Sequence, residues 1–147
     1  MNSGHPIPIR ATGIIIIIVS LLIGACGSDE ANDDAALSVE GTEWVLDELA
    51  GTPVPDGVEV TLEFDGTRVA GSGGCNQYSS DATFDNETVS FAGEIMSTAM
   101  ACDEPASSIE ASYLEALPRV TGFVVEGDVL TLSDSDDQTI LVFKTTT

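Results

Sequence analysis

Apolar and polar residues alternate strictly over residues 58–65, where Val58, Val60, Leu62 and Phe64 interleave with Glu59, Thr61, Glu63 and Asp65. A period of two puts one set on a buried face and the other in water, which predicts a half-buried β-strand. Asp65-Gly66 is expected to supply the two left-handed positions of a tight hairpin turn, returning the chain through Thr67, Arg68, Val69 and Ala70. Gly127-Asp128 is expected to do the same between strands over residues 120–126 and 129–133, and residues 134–137 to turn the chain into a last strand over residues 139–144. One segment changes period: over residues 105–117, Ala106, Ile109, Tyr113, Ala116 and Leu117 recur at helical spacing, which predicts a single helix. Pro105 suits its first position and Pro118 ends it. Asp103, or Ser107 with Glu110, is expected to satisfy the amides of its first turn.

The densest apolar run lies near the start of the chain. Residues 11–25 carry no charge, follow Arg10, and include five consecutive isoleucines from Ile14 to Ile18. This is the pattern of a signal peptide, and it falls short of the roughly 20 apolar residues that span a bilayer. It closes on Leu22-Ile23-Gly24-Ala25-Cys26, which resembles the lipobox of bacterial lipoproteins. That resemblance implies that Cys26 is lipidated and becomes the first residue of the mature chain, with a diacylglycerol and an added acyl chain giving stable membrane attachment. The competing reading is a plain secretory signal followed by a buried cysteine. The domain division is then a lipoprotein signal peptide over residues 1–25, Cys26 with an acidic tether over 26–41, and a globular domain over 42–147. Fifteen or so tether residues of small and acidic type place the domain roughly 20 Å from the bilayer. The expected location is the extracytoplasmic face of a membrane, periplasmic or at the cell surface.

A length of 147 residues allows one ordinary domain. With 25 acidic against 4 basic residues the formal charge is −21, which repels phosphate backbones and excludes nucleic-acid binding. Processing before Cys26 removes His5, the only histidine, so Ser-His-Asp and Cys-His catalysis and most zinc sites are excluded from the mature chain. No catalytic residue, metal site or cofactor is assigned.

Weaker signals remain. The run Gly71-Ser72-Gly73-Gly74 invites comparison with a phosphate cradle, but no Lys-Ser or Lys-Thr follows, and a bulge or close backbone contact with Asn76 bonded to neighbouring main chain is preferred. Asp134, Asp136 and Asp137 could converge on calcium, yet they lack the glycine and distant glutamate of an EF-hand, and a solvated turn is preferred. Asp47 and Glu48 are the nearest candidates for acid-base work, against an ordinary surface face. Asn86-Glu87-Thr88 matches a glycosylation acceptor and marks a turn. Trp44, Tyr78, Tyr113 and Phe64, Phe84, Phe91, Phe123 and Phe143 either line a ligand cavity or fill the interior, with filling preferred for so short a chain. The acidity suits a basic partner or the hydration that a saline habitat demands, and general solvation is preferred.

Trp44-Val45-Leu46, Gly71-Ser72-Gly73-Gly74-Cys75-Asn76-Gln77-Tyr78, Ser97-Thr98-Ala99-Met100-Ala101-Cys102, Glu110 with Tyr113-Leu114, and Leu130-Thr131-Leu132 stand in the order and spacing of the META domain, the family of the heat-inducible HslJ lipoproteins. The chain resembles that family from about Thr42 to Lys144. Ser80 and Ala82 stand where the family often has a further glycine and aromatic, so the strand after Tyr78 is expected to differ locally. The resemblance implies a mainly β fold with one helix, a small, strongly curved antiparallel sheet that is barrel-like and packed on that helix. It also implies pairing of Cys75 with Cys102 in a structural disulfide, consistent with two thiols exported to an oxidising compartment. Such a bridge stabilises by roughly 3 kcal/mol. The expected function is a non-catalytic, monomeric binding domain on a lipid anchor at Cys26, an envelope stress-response accessory or adaptor with an unidentified envelope protein as partner. The alternative is a barrel-like carrier of a small apolar ligand or an inhibitor of an envelope enzyme, and a third class is a hydrolase built on two facing carboxylates.

Overall fold

Short strands of alternating burial, separated by glycine turns, wrap into a closed sheet. The computed structural model describes residues 39–85 and 87–146; Cys26, the signal segment 1–25, the tether through residue 38 and Asn86 lie outside the described residues. The strands are β1 (Glu43–Leu49), β2 (Thr52–Pro53), β3 (Thr61–Asp65), β4 (Arg68–Ser72), β5 (Gln77–Asp85), β6 (Thr88–Phe91), β7 (Met96–Ser97), β8 (Gly122–Glu126), β9 (Val129–Ser133) and β10 (Thr139–Thr145). The helix α1 (Ala106–Ala116) sits between β7 and β8 and runs into a 3-10 turn, Leu117–Arg119. Pairing follows the order β10-β9-β8-β6-β5-β4-β3-β1, and β10 pairs again with β1, so eight antiparallel strands close a barrel. Closure covers the free backbone groups that an open sheet would leave on its two edges. β2 adds to β1, and β7 pairs with β5 at Tyr78↔Ser97 and Ser79↔Met96.

Side chains fill the interior. Trp44, Leu62, Phe64, Val69, Leu130, Leu132, Leu141 and Phe143 alternate inward along their strands and are fully buried. Phe84 stands edge-on to both Phe64 and Phe123, with ring centroids 4.8 and 5.5 Å apart. Each such side chain stabilises by about 1.5–3 kcal/mol relative to exposure. The thinnest joint in the sheet is β6 to β8, which share a single pair, Thr88↔Gly122. The 3-10 turn packs beside β6, and α1 and this turn bury Tyr113, Ala116 and Leu117. The aromatic residues therefore fill the core, as the preferred sequence reading holds.

Four details differ from the sequence expectations. The β3–β4 turn is Gly66-Thr67, flanked by the pair Asp65↔Arg68, and only Gly66 takes a positive φ, +60°. Gly127 does likewise at +64°, so each hairpin needs one left-handed residue at the first central position, as in a type II′ turn. The helix has no side-chain cap: Ile109 N–H donates to the Pro105 carbonyl, and Glu110 is engaged elsewhere. The folded domain also begins before Thr42. Val39 is fully buried, Trp44 Nε1 donates to its carbonyl at 3.4 Å, and Gly66 N–H donates to the Glu40 carboxylate at 3.0 Å. Finally, β5 runs unbroken for nine residues through Ser80 and Ala82, both buried, because small side chains suit a crowded inner face.

Candidate functional site

The loop after β4 shows why glycine is required there. A Cβ on Gly71 would lie 2.1 Å from the Thr61 carbonyl oxygen, and one on Gly73 would lie 2.8 Å from Glu110 Oε2. Gly74 adopts φ +103° against Val58. The backbone thus presses onto β3 on one side and α1 on the other, the close-contact reading of this run. Its amides are occupied from within: Gly73 N–H donates to the Asn76 carbonyl at 2.7 Å, Gly74 N–H to Ser72 Oγ at 3.2 Å, and Asn76 N–H to Glu110 Oε2. The anion that this loop holds is the protein's own Glu110 carboxylate, which leaves no phosphate cradle.

Asn76 is buried and uses every polar atom it has. Its Nδ2 donates to Glu110 Oε1 at 2.7 Å and to the Met100 carbonyl at 3.3 Å. Its Oδ1 accepts from Met100 N–H at 2.7 Å and from Thr98 Oγ1 at 2.9 Å. One amide therefore ties the β4–β5 loop, the segment after β7 and the helix together. Cys75 and Cys102 add a disulfide across the same junction, with Cα atoms 6.0 Å apart and a sequence separation of 27.

What these links hold is unusual in its exposure. Residues 96–105 are all exposed, and Met96 and Met100 each keep 63% of their surface in solvent. An open groove of about 410 Å³ runs beside Met96, lined by Arg68, Gln77, Tyr78, Met96 and Thr98 among others. Among the described residues, Arg119 pairs with Asp134 and Lys144 with Asp47, whereas Arg68 forms no ion pair within 4.0 Å.

The other candidates resolve into structure. Asp134 Oδ1 accepts from the backbone of Asp136 and Gln138, and its Oδ2 faces Arg119 at 3.3 Å. These backbone donors, with Arg119, hold its carboxyl below the ordinary range. Its oxygens face inward to the turn, and no group of three metal-ligating side chains forms among the described residues. Asp47 is 2.8 Å from Lys144, which raises the lysine above its usual value through that hydrogen bond and charge. Tyr78 and Tyr113 share a 2.6 Å hydrogen bond between hydroxyls, with Tyr78 also donating to the Thr61 carbonyl at 3.1 Å. Burial pushes both phenols above their ordinary value, so they stay neutral and serve to fix α1 to the barrel. The Asn76–Glu110 link was not read from the sequence; its one sign there was the need for glycine beside Asn76.

A small closed barrel, stapled by one disulfide and stopped by one helix, is the class of protein these features define. The META domain model matches residues 36–147, and the chain belongs to the META domain family. The match starts ahead of Val39, in line with the burial of that residue. No curated protein matches the chain. Among solved structures, the chain resembles a protein from Burkholderia xenovorans determined by NMR, with 26% identity, a TM-score of 0.62, and coverage of 96% of this chain and 99% of that one. A second NMR structure matches at 24% identity and a TM-score of 0.59, covering 74% and 92%. A crystal structure of a DUF4847-family protein from Bacteroides vulgatus shares the fold at 16% identity and a TM-score of 0.52, covering 72% and 93%.

Proposed function

We propose that this META-domain protein is a membrane-anchored, extracytoplasmic lipoprotein that acts by binding, as an accessory or adaptor in the envelope stress response. The observation that carries the anchor is Leu22-Ile23-Gly24-Ala25-Cys26 at the end of an uncharged apolar run, a short distance ahead of a domain in which Val39 is already buried. Binding without chemistry fits a family that is generally non-catalytic, and a chain with no histidine beyond His5. The interior favours a surface-binding role over carriage of an apolar ligand, because Trp44, Tyr113, Phe64 and Phe143 occupy it. Cys26→Ser tests the anchor. The variant is expected to leave the membrane fraction and to lose incorporation of labelled fatty acid; normal retention with unchanged labelling would refute the reading.

A further inference from the structure

Residues 96–105 form ten consecutive exposed positions that nonetheless are held by long-range links at three places. Thr98 exchanges backbone and side-chain bonds with Gln77 and Asn76, Met100 has both backbone groups on the Asn76 amide, and Cys102 is bridged to Cys75. A segment that buries nothing gives the core no reason to fix it. Ordering it in advance lowers the entropy that a binding partner has to overcome, and functional loops sit on rigid scaffolds for that reason.

The chemistry of the exposed face narrows the partner. Among the described residues, Met96 and Met100 are two of three large apolar side chains left exposed, and unbranched thioether side chains adapt to apolar pockets. Glu94, Asp103 and Glu104 flank them, and no lysine or arginine occurs between Arg68 and Arg119. Arg68, which forms no ion pair among the described residues, stands in the adjoining groove. We infer that the Met96–Met100 ridge and its groove dock a basic protein surface that offers an apolar pocket for the methionines, within a rim of lysine or arginine. A single partner carboxylate opposite Arg68 would set the register. This rests on the binding reading above and assigns it a face.

The test uses the full-length protein in envelope membranes from cells that make it. A photoreactive benzoylphenylalanine replaces Ala101, exposed beside the ridge, or Val124, which is 55% exposed on β8. The probe at Ala101 is expected to give one discrete protein adduct with a basic captured partner. Its yield should fall about tenfold when Met96→Glu and Met100→Glu are introduced together, the loss of a central anchor, and should weaken as salt screens the rim. A cooperative urea-unfolding transition close to that of the unsubstituted protein shows that this variant remains folded. A protein captured only from Val124 would overturn the assignment to this ridge while sparing the binding reading; no protein adduct from either position would overturn both. An adduct at Ala101 that is lipid or an acidic protein, or that survives the double substitution, also overturns the proposal.

Discussion

The turn between β9 and β10 and the segment between β7 and α1 are both exposed and acidic, yet they are fixed by opposite means. Asp134 shapes the first through neighbours at most four residues away, receiving Asp136 and Gln138 N–H on its side chain and Asp137 N–H on its carbonyl. Among the described residues, Arg119 is its only distant partner. The second is fixed through Asn76, Cys75 and Glu110, which lie between 22 and 34 residues from their partners along the chain. Local bonds shape a turn at little entropic cost, whereas remote ones close long loops and gain nothing until the rest of the barrel is built. The contrast teaches that the two loops answer to different needs: one reverses the chain, and the other presents a fixed surface.

Removing the bridge tests the remote side of this contrast most severely. Replacing Cys75 and Cys102 together by serine is expected to lower stability by about 3 to 4 kcal/mol in the chain-entropy estimate, measured by urea unfolding. The Met100 amide should stay protected from hydrogen exchange, because Asn76 Oδ1 still receives it at 2.7 Å. Loss of that protection in the serine variant would show that the disulfide alone fixes the segment.

Asn76→Ala should follow at about 2 to 3 kcal/mol, since it strands the buried side of Glu110 and both backbone groups of Met100. Here the expectation inverts: the disulfide persists, and Met100 exchange accelerates. Unchanged exchange would remove the amide from its role as the fastener.

The smallest effect belongs to the local turn. The folded-state pKa of Asp134 is lowered, first by the Asp136 and Gln138 amides and then by Arg119, so the ionised form is favoured in the folded protein. The resulting stability is present above the unfolded carboxylate value of about 3.9 and disappears as pH falls through the lower folded value. Asp134→Asn should flatten that acid limb of the unfolding curve while leaving Met100 exchange untouched. An acid limb identical to that of the wild type would count against the assignment.

The same local-versus-remote division decides what could be read from the chain. The burial alternation of residues 58–65, the β8–β9 hairpin and the Asp134 turn were legible because each is set within a few residues, although the strand expected over 58–65 forms only at Thr61–Asp65, with Val60 bridging Gly73 ahead of it. The turn at Gly66 was displaced by one position, since pattern alone cannot say which of Asp65 and Thr67 shares the loop with it. Glu110 was read as a helix cap because capping is the nearby use for a first-turn acid; its true partner, Asn76, is 34 residues away. The ridge of Met96 and Met100 carries no sequence signal of its own, for exposed methionine looks like core methionine until burial is known. The pairing of the cysteines was legible only through family resemblance.

Closure of the barrel by β1 and β10 also sets a timetable. Trp44 finds Thr145 as its neighbour, and Leu49 finds Leu141, so nearly the whole domain separates the two sides of the seam. Made from its N-terminal side onward, the domain can pair β1 with β3 early, but the seam waits for about 80 further residues, some 4 to 16 s of synthesis. Through that interval the cylinder is an unsealed sheet. For a domain proposed to work on the outer face of a membrane, a seam that only β10 can close leaves the barrel open until that strand has been made.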